Sequence, residues 1–310
     1  MVRRLFTLFS FAIILTFVAC SQAQTVDSVR FLGDIETLSA DDMAGRLVGT
    51  VGGKKAQDYI IGRYREIGLD EWRGDYRHQF SMRHRDGRDI DDATNLIGVI
   101  EGTAADGRYI VITAHYDHLG EHEGKIYNGA DDNASGVAGL LAAATWFKEN
   151  PLPVGLIFAA LDAEEGGLRG ARAMVAQMDS LELLDSVVMN INMDMISISE
   201  AGELYAVGTH HYPFLKSVIE QVAATSSIKL LMGHDTPDLP PGDDWTNASD
   251  HAAFHRVGIP FIYFGVEDHP YYHSPEDTFD KVTQEFAVGA AETVIMAIRS
   301  FGMLETVGTR

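Results

Sequence analysis

Apolar runs alternate with helical patterns along most of the chain. Four of these runs are short enough for single strands, and they cover residues 108–114, 154–161, 187–193 and 260–265. The run over residues 154–161 is continuously apolar, which is typical of a strand that is buried on both faces of a sheet. Segments with one apolar helical face lie between and after the runs. This alternation predicts one layered α/β domain from about residue 25 to the C-terminus.

The other predicted elements flank these strands. We expect helices over residues 27–40, 54–67, 136–148, 170–177, 212–225 and 281–300, and further strands over residues 95–102 and 204–207. The strand over residues 95–102 is expected to neighbour the strand over residues 108–114. We expect a glycine-rich loop over residues 45–53, a charged surface connector over residues 83–94 and a long loop over residues 233–248. Ser249 is then the expected N-cap of a short helix.

The N-terminal segment follows a different pattern. A basic start precedes an apolar run, residues 5–18, that is too short to cross a membrane and ends in small residues. These features are typical of a secretory signal. The position of Cys20 favours a lipoprotein leader over residues 1–19, with Cys20 as the first mature residue, although Phe17 stands where leucine is usual. Plain cleavage near Ala23 is the alternative.

This segment also predicts where the protein resides. We expect an exported protein, either a periplasmic or outer-membrane lipoprotein, or a secreted protein if Cys20 is not lipidated. Membrane contact is then expected only through the N-terminal lipid anchor. The sequence pattern predicts no particular oligomeric state.

Composition and charge limit the classes of partner. The chain has 46% hydrophobic and 22% charged residues, which is ordinary for a globular protein with a substantial core. The formal net charge of −21 argues against nucleic acid and anionic membranes, because both carry negative charge. Cys20 is the only cysteine, so an internal disulfide framework is excluded.

Ligand-type side chains follow the predicted strands. They are His115 and Asp117, the pair Glu164 and Glu165, Asp194, and, after a loop, His273, with Asp131 and Asp132 before a predicted helix. Ligands of an open α/β sheet gather outside the carboxyl ends of its strands. Histidine together with carboxylates suits a divalent metal, most commonly zinc. The surplus of candidates over the three protein ligands of one catalytic zinc indicates two ions that share a bridging carboxylate.

Each of these residues also has a simpler interpretation. His115 could be a strand-end histidine that is satisfied by Asp117, and the two aspartates could cap the following helix. The glutamate pair could mark a solvated strand exit, and Asp194 could belong to a turn. The joint occurrence at four strand ends and one helix start favours the metal site. We assign no function to four other histidines, namely His210, His211, His234 and His255.

Six stretches together carry a family resemblance. They are Ala114-His-Tyr-Asp117, Gly129-Ala-Asp-Asp-Asn-Ala-Ser-Gly136, Asp162-Ala-Glu-Glu-Gly166, Asn192-Met-Asp194, Ser249-Asp-His251 with Gly258-Ile-Pro260, and Tyr272-His-Ser-Pro-Glu-Asp-Thr278. The set resembles the two-zinc metallo-aminopeptidases, the family of aminopeptidase Y and bacterial leucyl aminopeptidase. The resemblance covers nearly all of the chain after the leader. It implies a single three-layer zinc peptidase domain over residues 25–310, with a central mixed, mostly parallel sheet flanked by helices.

The resemblance implies a role for each metal ligand. His115 and Asp194 would hold one Zn²⁺ ion, Glu165 and His273 would hold the other, and Asp132 would bridge the two. It also implies a cis peptide bond after Asp132.

The resemblance implies roles for the remaining candidates as well. Asp117 would orient the ring of His115. Glu164 would be the general base that activates the water bridging the two metals, and Tyr272 could stabilise the oxyanion. Trp245, in the long loop, and Asp250 are candidates for the substrate pocket.

The expected function is therefore that of an exported dinuclear zinc aminopeptidase acting on peptides with a free N-terminus. One alternative is a glutaminyl cyclase, a single-zinc enzyme on the same fold that retains a similar ligand set. Those cyclases tend to carry tryptophan where this chain has Tyr272, which favours the peptidase. A remote alternative is an inactive binding protein of the transferrin-receptor kind, in which ligands would be missing; here the set is intact.

Overall fold

The computed structural model describes residues 25–240 and 242–304. The predicted leader over residues 1–19 and the proposed lipidation site Cys20 lie outside the described residues. Within the described ranges, no helix is long and apolar enough to cross a membrane.

The described residues form eleven strands. In chain order they are β1 (Asp70–Glu71), β2 (Arg77–Arg83), β3 (Asp89–Ile100), β4 (Tyr109–His115), β5 (Gly120–His122), β6 (Lys125–Tyr127), β7 (Gly155–Leu161), β8 (Val187–Met193), β9 (Glu203–Val207), β10 (Lys229–Met232) and β11 (Phe261–Gly265). Strands β5 and β6 form a small separate hairpin. The other nine form one sheet.

Seven α-helices accompany these strands in the described part of the chain. They are α1 (Ser28–Leu38), α2 (Val51–Ile67), α3 (Gly136–Glu149), α4 (Arg169–Ser180), α5 (Lys216–Ala223), α6 (His251–Arg256) and α7 (Gln284–Gly302). A short irregular turn, Ala130–Ser135, leads into α3.

The large sheet is mixed, with a parallel centre. Its order is β1-β3-β7-β4-β8-β11-β9-β10, and β2 pairs with β3. The pairs β7–β4, β4–β8 and β8–β11 are parallel, so these four strands end at the same edge of the sheet. Strand β3 runs antiparallel to β7, and β9 runs antiparallel to β11.

Side chains alternate between two apolar layers along the central strands. In β4, Ile110, Ile112 and Ala114 pack into the larger layer with residues of α1, α2, α3, α5 and α7. Val111 faces the other layer, with residues of α4 and α6. Because both faces are covered by helices, the parallel strands are largely apolar; Thr113 and His115 in β4 and Asn190 and Asn192 in β8 are buried polar exceptions. The predicted three-layer α/β domain is confirmed.

Several local predictions were wrong. Residues 83–94 are not a connector, because β2 and β3 form an antiparallel hairpin that extends through them. This hairpin carries charges on its exposed positions, which hide its strand pattern. Strand β3 also does not neighbour β4, since β7 lies between them. Strand β10 was not predicted.

Two predicted helix starts also differ from the structure. The glycine-rich stretch is loop only as far as Thr50, whose hydroxyl caps α2 at Gly53. Gly52 lies in the first turn of α2, and a Cβ atom there would come within 2.1 Å of the Met43 carbonyl oxygen, so this helical position requires glycine. Ser249 does not cap α6, which begins at His251. Its hydroxyl instead accepts a hydrogen bond from the Asn192 amide at 2.9 Å.

Candidate metal centre

The predicted ligands converge at the carboxyl edge of the parallel strands. His115 ends β4, Asp194 directly follows β8, and Glu164 and Glu165 lie in the turn after β7. The turn before α3 brings in Asp132. Two groups of side chains in this region could each hold a metal ion, namely His115, Asp132 and Asp194, and His118, Asp132 and Glu165.

The first group is built around the buried ring of His115. Its Nε2 atom lies 3.2 Å from Asp194 Oδ1 and 3.3 Å from Asp132 Oδ1. Its Nδ1 atom donates a hydrogen bond to the main-chain carbonyl of Asp117 at 3.1 Å. Since a carbonyl can only accept, Nδ1 carries the proton, and the Nε2 lone pair can serve a metal.

The two carboxylate oxygens of Asp132 face two different histidines. Oδ1 faces His115, while Oδ2 lies 3.1 Å from His273 Nε2. His273 Nε2 also lies 3.5 Å from Glu165 Oε2. The structure therefore brings together all five predicted ligands, with Asp132 between two separate groups of donors.

His118 was not among the predicted ligands. Its Nδ1 atom lies 2.9 Å from Glu165 Oε1 and 3.7 Å from Asp132 Oδ2. It thus approaches one oxygen of the Glu165 carboxylate, and His273 approaches the other. The signal in the sequence was its position, three residues after His115 in the segment that leaves the same strand.

Backbone contacts hold Asp132 in place. The carboxylate of Asp277 accepts hydrogen bonds from the main-chain N–H groups of Asp131 (2.9 Å) and Asp132 (3.1 Å). The amide of Asn133 donates to the Met193 carbonyl at 2.9 Å and accepts from Gly136 N–H at 2.9 Å. The peptide bond between Asp132 and Asn133 is cis, as the resemblance implied.

Asp131 does not cap α3. Its Oδ1 accepts hydrogen bonds from the main chain (2.6 Å) and the hydroxyl (2.8 Å) of Ser197. Its Oδ2 lies 3.0 Å from His269 Nε2, which donates because Nδ1 of that ring accepts from Tyr271 N–H. Sequence reasoning missed this network, since His269 and Ser197 are distant in the chain and gave no local pattern.

The carboxylate of Asp117 supports the adjacent glutamates. It accepts hydrogen bonds from the main-chain N–H groups of Glu164 at 2.9 Å and Glu165 at 3.3 Å. Its distance to His115 Nδ1 is 3.6 Å, so the ring of His115 is oriented chiefly through the Asp117 carbonyl. Asp117 thereby connects the end of β4 with the turn after β7.

Arg46 lies buried beneath the site and was not assigned a role from the sequence. Its guanidinium donates to the carbonyl oxygens of Tyr116 (2.8 Å), Leu38 (2.6 Å), Asn128 (2.6 Å) and Gly129 (2.9 Å). Burial lowers the pKa of Arg46 to about 10, while nearby carboxylates oppose this shift. A single side chain therefore joins three segments around the metal-ligand loops.

The donor set fits a divalent cation. His118 Nδ1, His118 Nε2 and Glu165 Oε1 are buried and have no hydrogen-bond partner among the described residues. Burial, with neighbouring carboxylates, raises the pKa of Asp162 to about 7, of Asp250 to about 8 and of Asp277 to about 6. A bound cation would offset this accumulation of negative charge, and imidazole with carboxylate is a donor set that zinc accepts.

The sequence matches a known protein family. Residues 95–298 match the profile of peptidase family M28. The chain belongs to peptidase family M28. Aminopeptidase YwaD of Bacillus subtilis is 32% identical over 200 residues, which cover 61% of this chain and 40% of that protein. The chain therefore spans less than half the length of this relative. Membership of family M28 confirms the resemblance to metallo-aminopeptidases.

Solved structures agree on the fold. The structure of BSAP, a zinc aminopeptidase from Bacillus subtilis, has a TM-score of 0.76 and 18% identity, covering 93% of this chain and 98% of that chain. The structure of Porphyromonas gingivalis glutaminyl cyclase has a TM-score of 0.70 and 17% identity, covering 89% of this chain and 99% of that chain. At these identities the likeness shows the fold alone.

Three further predicted residues of this M28 chain, Tyr272, Trp245 and Asp250, differ in how far their side chains are exposed to solvent. Tyr272 is half-buried and stacks on the His273 ring, with ring centroids 3.9 Å apart. Trp245 is half-buried and stacks on His234 at 3.7 Å. Asp250 is 0% exposed and both of its carboxylate oxygens lack a partner among the described residues. The pocket roles of Trp245 and Asp250 stay predictions.

Proposed function

We propose that this M28 chain is a zinc aminopeptidase that removes N-terminal residues from peptides with the help of two ions. The observation that carries the proposal is the orientation of Asp132. One of its oxygens faces His115 and the other faces His273, each at hydrogen-bonding distance from a ring nitrogen. A single carboxylate between two imidazole-carboxylate groups suits two metals that share a bridging ligand.

His115, Asp132 and Asp194 would hold one ion, and Asp132, Glu165 and His273 the other. When bound, zinc supplies Lewis-acid chemistry, because it lowers the pKa of water towards about 7 and polarises a carbonyl oxygen.

Glu164 would transfer the proton. Among the described residues, no hydrogen bond or ion pair engages its carboxylate, whereas Glu165 lies beside two imidazoles. Glu164 would accept a proton from the attacking water as the new C–O bond forms. It would then give this proton to the leaving amine as the C–N bond breaks. Tyr272, beside His273, could donate to the developing oxyanion.

Carboxylates close to the ligands would favour substrates with a free α-amine. Asp194 and Glu164 would place carboxylates near the reacting carbonyl group, where a protonated or metal-bound amine would be recognised. Their side chains thus support an exopeptidase rather than an enzyme that cleaves within a chain.

The N-terminal sequence supports export. A basic start, a short apolar run over residues 5–18 and Cys20 suit a lipoprotein leader, with a periplasmic or outer-membrane location. Labelling with a radioactive fatty acid in cells that express the full chain, and in cells that express Cys20→Ala, tests this point. Label on the wild-type chain alone is the expected result.

A defined peptide mixture tests the reaction. The zinc-loaded protein is incubated with peptides that carry a free N-terminus, with the same peptides N-acetylated, and with N-terminal glutaminyl peptides, and the masses are measured. We expect loss of single N-terminal residues from the free peptides alone, abolished by a chelator and restored by zinc. Loss of ammonia from the glutaminyl peptides, without residue loss, would instead indicate a cyclase.

A further inference from the structure

We propose that His118 is a protein ligand of the metal ion on the Glu165 side of the centre. This inference rests on the proposed two-ion site and adds a residue to it. It comes from the position of one buried imidazole that neither packing nor hydrogen bonding explains.

The ring of His118 is buried without a hydrogen-bond partner among the described residues. Its exposed fraction is 0%, and neither ring nitrogen has a hydrogen-bond partner among the described residues. A buried polar group without a hydrogen-bond partner destabilises the folded state. A histidine that only filled space here would therefore be a poor choice compared with an apolar residue.

The distances around His118 suit coordination. Two ligands of one tetrahedral zinc, at about 2.0–2.2 Å from the ion, lie about 3.4 Å apart. His118 Nδ1 lies 2.9 Å from Glu165 Oε1 and 3.7 Å from Asp132 Oδ2. His273 Nε2 lies 3.1 Å from Asp132 Oδ2 and 3.5 Å from Glu165 Oε2. Both rings thus keep ligand-like distances to the same two carboxylates.

A simple hydrogen bond from His118 to Glu165 is the competing explanation. Although the two atoms are close, they are not aligned for a hydrogen bond, and Glu165 Oε1 also remains without a partner. His118 Nδ1 and Glu165 Oε1 therefore lie 2.9 Å apart without hydrogen-bond partners, which fits two ligand atoms of one cation better than a hydrogen bond between them.

The backbone around His118 leaves room for its ring. Gly129 has φ +57°, and a Cβ atom there would lie 2.6 Å from Cδ2 of His118. Glycine at this position therefore leaves space for the ring of His118. A Cβ atom there would also come within 2.1 Å of the Asp132 carbonyl oxygen.

The consequence is an asymmetric centre. Four side chains, His118, Asp132, Glu165 and His273, would surround one ion, while three, His115, Asp132 and Asp194, would surround the other. Zinc sites with four protein ligands are typically closed, and sites with three keep an open position. We therefore infer that the ion on the Glu165 side binds more tightly and that the ion on the His115 side exchanges more readily.

The substitution His118→Asn separates the two explanations. The amide nitrogen of asparagine can occupy the position of Nδ1 and donate a hydrogen bond to Glu165, but an amide is a poor zinc ligand. Zinc affinities are measured for the metal-free protein by competition with a chromophoric chelator. We expect the tighter site to weaken by more than about 100-fold, beyond the 10–100-fold typical of a lost outer-sphere partner. The weaker site should change little.

The matched control is His122→Asn, the same substitution on the exposed hairpin four residues further on, which should leave both affinities unchanged. A loss of 100-fold or less at the tighter site in His118→Asn would overturn the inference. Wild-type protein that binds no zinc would instead overturn the proposed function. The metal-free variants are compared by circular dichroism to establish that they are folded.

X-ray absorption on wild-type protein provides a test that needs no variant. With one equivalent of zinc bound, two imidazole ligands, from His118 and His273, are expected in the coordination shell. One imidazole ligand at this loading would overturn the assignment of His118.

Discussion

Glu164 and Glu165 are adjacent in the chain and yet lie in opposite electrostatic surroundings. Burial and the charge of Asp132 would raise the pKa of Glu165, but His118 and His273 lower it to about 2. Burial raises the pKa of Glu164 well above its usual value; His115 opposes this shift, and the charge of Asp250 adds to it. Neighbouring carboxyl groups with pKa values pushed apart are typical of divided roles, one binding and one transferring protons.

Replacement of Glu164 by glutamine should separate catalysis from metal binding. The variant Glu164→Gln keeps the shape but cannot accept a proton, so kcat should fall by about 10²–10⁴-fold. Turnover of an aminoacyl-anilide and zinc content by mass spectrometry are measured together. The control is Glu36→Gln, an exposed position in α1, which should match the wild type. A Glu164→Gln protein with normal turnover would refute the role as base.

Arg46 is a second residue whose role is local and testable. Lysine in its place carries the same charge but cannot reach the four carbonyl oxygens that the guanidinium joins. At least one buried carbonyl should lose its side-chain donor, so Arg46→Lys should lower the free energy of unfolding by about 1–3 kcal/mol. Urea denaturation measures this, with the exposed Arg88→Lys as control. Equal stability of the Arg46 and Arg88 variants would contradict the expectation.

At the scale of elements, the turn Ala130–Ser135 depends on a distant loop. Asp277 accepts hydrogen bonds from consecutive N–H groups of this turn, including that of Asp132. The support for Asp132, the proposed shared ligand, therefore comes from a residue 145 positions away along the chain.

Asp277→Ala should loosen Asp132 without removing a metal ligand. We expect zinc affinity to fall by about 10–100-fold, as for other outer-sphere partners, with the stoichiometry of two ions retained. Chelator competition measures the affinity. Asp280→Ala, an exposed change in the same loop, is the control and should bind zinc like the wild type. Unchanged affinity in Asp277→Ala would show that the turn holds itself in place.

Whether a strand could be predicted from the sequence depended on how much of it is covered by other elements. Strands β4, β7 and β8 were predictable because helices cover both faces, so their residues are buried and mostly apolar. The β2–β3 hairpin was not, because exposed strand positions carry charges. The placement of β7 between β3 and β4 depends on long-range pairing, which has no local signature in the sequence.

The candidate site also contains features that local sequence predicts and features that depend on long-range contacts. His115, Asp194 and the two glutamates directly follow strands, so topology alone predicts that they meet. Contacts that depend on side-chain direction were not predictable. Examples are the approach of His118 to Glu165 and the bond between His269 and Asp131. The burial of Asp250 also follows from packing that no single segment reveals.

At the scale of the whole molecule, excess negative charge links stability to metal. The chain has a net charge of −21, and several carboxylates are buried together at one edge of the sheet. Without cations, these groups repel one another or take up protons, which disfavours the folded state at neutral pH. Ions that bind only the folded protein stabilise it in proportion to the logarithm of their concentration.

Zinc should therefore raise the midpoint of thermal unfolding of the metal-free protein. At 100 times the dissociation constant, each ion should contribute about 2.7 kcal/mol, and for a domain of this size the midpoint should rise by about 5 °C or more. Differential scanning calorimetry with zinc, with magnesium and with a chelator measures the shift. Magnesium should have little effect, because this site offers imidazoles that suit zinc better. Asp132→Asn, which weakens both groups of ligands, should lose most of the shift. An equal zinc-dependent rise in wild type and Asp132→Asn would mean that zinc stabilises the fold elsewhere.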